Sequence, residues 1–162
     1  MGIILFLYFK PSLDDLGLRW DNIRLRTRII YIMGVPVLTI LILIQSVFEG
    51  EFDILVGLLL YAIITPLFEE LVFRGYIWSK ISESEGMINT DGLTFLTVTL
   101  LFSVWQLGYA DVLIRYSNLG LIMVLKMIAG LVLGLFVGYL RLKTGKTYAS
   151  ILFHCLWNLL EP

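Results

Sequence analysis

The chain has 162 residues, of which 59% are hydrophobic and 15% charged, with a formal net charge of -1 and a mean hydropathy of +0.89. A soluble domain is about 45–50% apolar, so the composition excludes a water-soluble fold and points to one integral membrane domain in contact with lipid. No basic stretch interleaved with aromatics suggests a nucleic-acid partner, and the single cysteine, Cys155, excludes an internal disulfide.

Met1 to Phe9 is apolar, but shorter than the roughly 20 residues that span a bilayer, and it lacks the basic start and cleavage site of a signal peptide. It reads as the end of a truncated span or as an interfacial anchor. Lys10 to Arg28 is polar, punctuated by Pro11 and Gly17, and reads as an interfacial linker with room for a short helix after Ser12. Residues 1–28 therefore form an N-terminal segment, and residues 29–162 the membrane core. A first span is expected from Ile29 to Phe48, with Pro36 kinking it without forbidding it. Glu49 to Asp53 is an acidic turn. A second span runs from Ile54 to Lys80, followed by a polar loop from Ser82 to Asp91. A third takes Leu93 to Ala110, with Asp111 to Asn118 as its connection, and a fourth takes Leu119 to Leu140, interrupted by Lys126. After a basic turn around Gly145, a short fifth helix covers Thr147 to Leu160. The expected fold is all-α, a polytopic bundle of about five membrane helices.

Lys10, Arg19, Arg24, Arg26 and Arg28 precede the first span, Lys80 ends the second, and Arg141, Lys143 and Lys146 join the fourth to the fifth, against Arg115 in the alternate connections. The positive-inside rule places the first set in the cytoplasm. Gly130, Gly134 and Gly138 make a smooth stripe on the fourth span, which we read as helix packing.

Charge inside the spans needs a reason. Glu69, Glu70 and Arg74 interrupt an apolar run, and ionisable groups at membrane depth are functional by default. Helices rise about 1.5 Å per residue, so Glu69, Gln106, His154 and Asn158 all fall about 12–18 Å from the cytoplasmic ends of their spans. Glu70 and Arg74 are one turn apart on one face and read as an ion pair, which leaves Glu69 as the freer carboxylate and candidate general base. Thr65-Pro66 reads as a break or restart of the helix, with Pro66 at the first helical position and Glu69 near a helix N-terminus. His154 and Asn158, again one turn apart, could hold an oxyanion, orient a water or bind a metal. Cys155 points about 100° away and reads as a packing thiol.

Glu69-Glu70-Leu71-Val72-Phe73-Arg74-Gly75, Phe102-Ser103-Val104-Trp105-Gln106 and His154-Cys155-Leu156-Trp157-Asn158 resemble the three motifs of the intramembrane CAAX protease and bacteriocin-processing family, also called the Abi family. Asp15-Leu16-Gly17-Leu18-Arg19 is similar to a polar segment that many members carry before their core. The resemblance implies a protease of the prokaryotic plasma membrane, cleaving a membrane-associated peptide or protein, with Glu69 as general base, Glu70 and Arg74 as its scaffold, and His154 and Asn158 polarising the peptide carbonyl. Members are often described as metalloproteases, so the resemblance alone makes zinc a possible cofactor; the residues themselves leave the cofactor unknown. The departure is Gln106, where the family's second motif ends in histidine. An amide takes up no proton near neutral pH and is a poor zinc ligand. Gln106 is therefore expected to contact water or substrate, and the alternative expectation is an inactive relative that binds peptide or acts as a membrane scaffold.

Overall fold

The computed structural model describes residues 8–21, 23–49, 52–84, 90–108 and 119–160. The apolar start up to residue 7, the middle of the acidic turn, residues 85–89 of the polar loop and the connection Asp111 to Asn118 with Arg115 lie outside the described residues. The described part contains α1 (Leu25–Glu49), α2 (Phe52–Leu59), α3 (Thr65–Glu70), α4 (Trp78–Ser84), α5 (Thr90–Trp105), α6 (Leu119–Thr144) and α7 (Tyr148–Leu160), with π-helical turns at Leu60–Ile64 and Leu71–Ile77. No strand occurs among the described residues.

These elements make five rods, because α2, α3, α4 and the two π turns run on as one helical stretch over residues 52–84. Three rods are long and apolar enough to cross a membrane, over Leu25–Gln45, Leu55–Glu83 and Gly120–Thr144, and α7 is a shorter apolar helix. The chain is an integral membrane protein. Pro36 lies inside α1 without ending it. Large apolar side chains such as Ile40, Leu60, Leu100, Leu125 and Phe136 remain exposed on the outer faces, where lipid is their solvent.

The expected break at Thr65-Pro66 is absent, and the π turn explains why. A π turn shifts the hydrogen bond to five residues back, so the Thr65 N–H bonds to the Leu60 carbonyl and passes over Tyr61. Pro66, which has no N–H, follows it in α3 while Ile64 keeps helical angles (φ -67, ψ -45). Glu69 therefore sits inside a continuous helical rod and not at a free N-terminus. The skipped Tyr61 carbonyl is not left bare: Asn158 Nδ2 donates to it at 3.0 Å. The second π turn repeats the device. The Trp78 N–H is shared between the Phe73 and Gly75 carbonyls, and the Arg74 carbonyl between them accepts Arg141 Nε at 2.8 Å and Thr147 Oγ1 at 3.5 Å.

Around this rod, α5 packs on α6, and α7 fits between α6 and α1. The glycine stripe of α6 sets the approach. A Cβ on Gly138 would lie 2.9 Å from the Phe95 ring, and one on Gly134 would lie 3.1 Å from Thr99 Cγ2. Ser103 Oγ donates to the Met127 carbonyl at 2.8 Å across the same seam. Two apolar clusters result, one around Phe73, Val98, Phe102, Leu133 and Val137, the other around Leu38, Ile42, Ala62, Cys155 and Leu159.

The polar N-terminal stretch docks on the basic end of the bundle as a strap. Ser12 and Asp15 cap each other through the Ser12 hydroxyl and amide, and Gly17 takes φ +64, a conformation that glycine adopts without strain. Leu16 and Gly17 press so closely on the core that a Cβ at Gly75 would lie 3.0 Å from the Leu16 backbone. The Leu16 carbonyl accepts Thr147 Oγ1 at 2.7 Å, and the Gly17 carbonyl accepts the Thr147 N–H at 3.2 Å. Tyr148 donates to the Leu18 carbonyl, Lys146 to the Arg19 carbonyl and Ser79 to the Asp15 carbonyl. The contacts gather the basic residues before α1, in α4 and between α6 and α7 at one end.

Lys80, bonded to Asp15 at 2.8 Å, and Ser12 hold the Asp15 carboxyl well below the usual carboxylate range. A carboxyl whose folded pKa lies below its unfolded value of about 3.9 stabilises the docked state above that value, and the contribution is lost as pH falls further. The protection factors of the Leu16 and Leu18 amides, their hydrogen exchange relative to the unfolded chain at the same pH, are expected to fall in wild type below about pH 4, and in Asp15→Asn already at neutral pH. Unchanged protection in Asp15→Asn would remove this contact from the strap's anchorage.

Candidate active site

The π-turned rod delivers two carboxylates to the middle of the bundle. Glu69 and Glu70 occupy the last two positions of α3, and both are buried, as are Arg74 and His154. Burial of a charge among apolar helices is costly unless it is paired and hydrogen-bonded. Glu70 Oε1 meets that demand twice, with Arg74 Nη1 at 3.1 Å and His154 Nδ1 at 2.8 Å. Arg74 spreads its own charge further. Nη2 donates to the Gly134 carbonyl at 3.3 Å, and the guanidinium lies 4.1 Å from the Phe102 ring centroid. Phe102 also meets the His154 ring edge-on at 5.8 Å.

Glu69 turns to the other side of the imidazole. Its Oε2 lies 3.7 Å from His154 Nε2, and its Oε1 accepts a hydrogen bond from Trp105 Nε1 at 2.9 Å. When Nδ1 carries the proton and donates to Glu70, Nε2 is left facing Glu69. The imidazole thus stands between the two acids, with one ring nitrogen for each.

The structure brings Glu69, Glu70, Arg74 and His154 into one contiguous cluster. Asn158 lies one turn beyond His154 on α7, with one amide hydrogen given to the Tyr61 carbonyl. Gln106 opens a 3-10 turn, Gln106–Gly108, after α5. Its side chain lies over Gly130, where an added Cβ would come within 2.5 Å of Gln106 Cγ. Sequence reasoning missed Trp105 as the donor to Glu69, because an aromatic in an apolar span carries no mark of a polar duty. It also missed the Gly134 and Tyr61 carbonyls, since backbone acceptors have no sequence signature. The adjacency of Trp105 to Gln106 is a signal that could have prompted the first.

The donor set does not fit a resident zinc ion, which takes three protein ligands in a catalytic site. Among the described residues no group of three or more His, Cys, Asp and Glu side chains is arranged to hold a metal. Glu69 Oε2 and His154 Nε2 make a pair of donors, Glu70 Oε1 is engaged by Arg74 and His154 Nδ1, and the second-motif position carries an amide.

This arrangement of acid pair, arginine, aromatic-flanked second motif and histidine coincides with the matched region of a family model, that of the Rce1-like type II CAAX prenyl endopeptidases, over residues 51–160. The chain belongs to this family. No curated protein and no solved structure matches it. The Rce1-like region takes in the π-turned rod, α5, α6 and α7, and so every member of the polar cluster; the strap and α1 precede it.

Within this Rce1-like core, removing one partner of the buried pair leaves the other charge uncompensated, at a cost of about 3–5 kcal/mol. Arg74→Leu is therefore expected to destabilise the folded protein in micelles by that order, and Glu70→Gln combined with Arg74→Leu by less than Arg74→Leu alone. With Glu70→Gln measured alone as well, single-variant losses that sum to the loss of the double variant would show that the two side chains are not energetically coupled.

Proposed function

We propose that the chain is an intramembrane endopeptidase that hydrolyses a peptide bond in a membrane-associated peptide or protein, in a prokaryotic plasma membrane. The observation that carries this reading is the buried Glu69–His154–Glu70 array, which places a carboxylate bonded by the Trp105 indole beside an imidazole oriented by another carboxylate. In this reading Glu69 accepts a proton from a water molecule as that water attacks the carbonyl carbon. The oxygen of the tetrahedral intermediate faces the second amide hydrogen of Asn158 and the Nε2–H that His154 carries when both ring nitrogens are protonated. The C–N bond then breaks, and Glu69 returns the proton to the leaving nitrogen. Glu70 and Arg74 hold His154 in place, and Gln106 contacts water or substrate. The partly exposed Trp105 indole lies directly on Glu69, which supports sideways entry of an amphiphilic substrate from the bilayer at this flank.

Glu69→Gln is expected to abolish cleavage in a membrane-peptide library assay while leaving the thermal midpoint unchanged; retained turnover would remove Glu69 from the role of base. Trp105→Phe deletes the donor to Glu69, and a hydrogen bond to a charged group is worth about 1.5–3 kcal/mol, so kcat should fall on the order of tenfold or more.

The second reading is a non-catalytic peptide-binding scaffold, favoured by Gln106 in place of histidine and by its side chain lying over Gly130. Gln106→His separates the two. Activity in the chain as written supports the endopeptidase, whereas activity gained only in that variant supports the scaffold.

A further inference from the structure

The polar cluster does not use every buried charge. Arg141, in the last turn of α6, is 8% exposed, yet among the described residues no carboxylate lies within ion-pair distance of it. Its Nε is committed to the Arg74 carbonyl at 2.8 Å. The guanidinium packs on the strap, where a Cβ at Gly17 would lie 2.9 Å from Arg141 Cζ and Nη2, and Arg141 borders a crevice of about 430 Å³ together with Trp78, Ser79, Ser82, Glu83, Asp91 and Gly145. A buried guanidinium without a counter-charge is a strong attractor for an oxyanion, because its planar donors match a phosphate group in pairs.

The position of the crevice narrows the ligand. It opens at the end of α4 and α6 where Lys80, Lys143 and Lys146 collect, the end that the positive-inside rule puts at the cytoplasmic leaflet. Arg141 lies 5.9 Å from the buried Trp78 ring and Lys143 5.7 Å from the exposed Tyr139 ring, and an exposed tyrosine beside a lysine suits the headgroup level. The other wall carries acids: Glu83 is paired with Lys80 at 2.9 Å, whereas Asp91 belongs to no ion pair among the described residues. The crevice is thus positive on one side and negative on the other.

We propose that this crevice binds the phosphodiester headgroup of a phospholipid, with the phosphate on Arg141 and the Ser82 hydroxyl and a headgroup amine toward Asp91. Because Arg141 also holds the carbonyl of Arg74, an occupied site braces the rod that carries the acid pair from its interfacial end. The site is separate from the proposed hydrolysis, and its test needs no substrate.

The full chain, delipidated in a neutral maltoside, is titrated with short-chain phosphatidylethanolamine, with diacylglycerol of the same chains, and with inorganic phosphate, while the thermal midpoint is followed. The expected result is a rise of several degrees with phosphatidylethanolamine, little with diacylglycerol, and a smaller rise with phosphate only at much higher concentration. Arg141→Gln should lose the rise. Because that variant also gives up the Arg74 contact, Ser82→Glu serves as the second variant, adding a negative charge to the crevice without touching that contact; it too should lose the rise. An equal rise with diacylglycerol, a rise with phosphate at the same concentration as the lipid, or an undiminished rise in Ser82→Glu would overturn the proposal.

Discussion

The structure depends on keeping one guanidinium and one carboxylate charged at the centre of an apolar bundle. Arg74 and Glu70 are both fully buried, and pairing alone satisfies only part of their hydrogen-bonding capacity. Part of the remainder is met by the backbone and by aromatic faces, the Gly134 carbonyl, the Phe102 ring and the His154 imidazole, while Glu70 Oε2 and Arg74 Nε have no hydrogen-bond partner among the described residues. The glycine stripe on α6 therefore has a second consequence beyond close packing. A side chain at position 134 would stand 3.4 Å from Arg74 Nη2 and obstruct the route to that carbonyl.

The two π turns show the same economy of hydrogen bonds. Each withdraws one carbonyl from the helical ladder, and each such carbonyl is claimed by a side chain from α6, from α7 or from the corner between them: Tyr61 by Asn158, Arg74 by Thr147 and Arg141. In lipid an unsatisfied carbonyl would cost several kcal/mol, so these bonds are conditions of the fold. They also brace the rod against α7 on both sides of the Glu69–Glu70 pair, and α7 is the helix that supplies His154. The acids and the imidazole are registered against one another by backbone contacts that flank them.

The strap extends this bracing to the membrane surface. Thr147, which reaches the Arg74 carbonyl, bonds to Leu16 as well, so the polar segment ahead of α1 closes over the same joint. A linker in sequence thus becomes part of the frame around the acid pair.

Much of this was legible before any coordinates. The apolar runs fixed the number and order of the rods, since a bilayer demands about 20 apolar residues per span whatever their neighbours. The four-residue spacing of Glu70 and Arg74 implied their pairing, and equal depth implied that Glu69 and His154 belong to one layer, because helical rise and rotation are set locally. Pro66 misled for the complementary reason. Whether a proline ends a helix or is carried through depends on who takes the orphaned carbonyl, and Asn158 does so from almost a hundred positions away. Trp105 on Glu69, Arg141 on the Arg74 carbonyl and the docking of the strap were likewise decided only by tertiary structure. Each joins a side chain to an acceptor distant in sequence, and no local pattern records which distant groups a folded chain will bring within 3 Å.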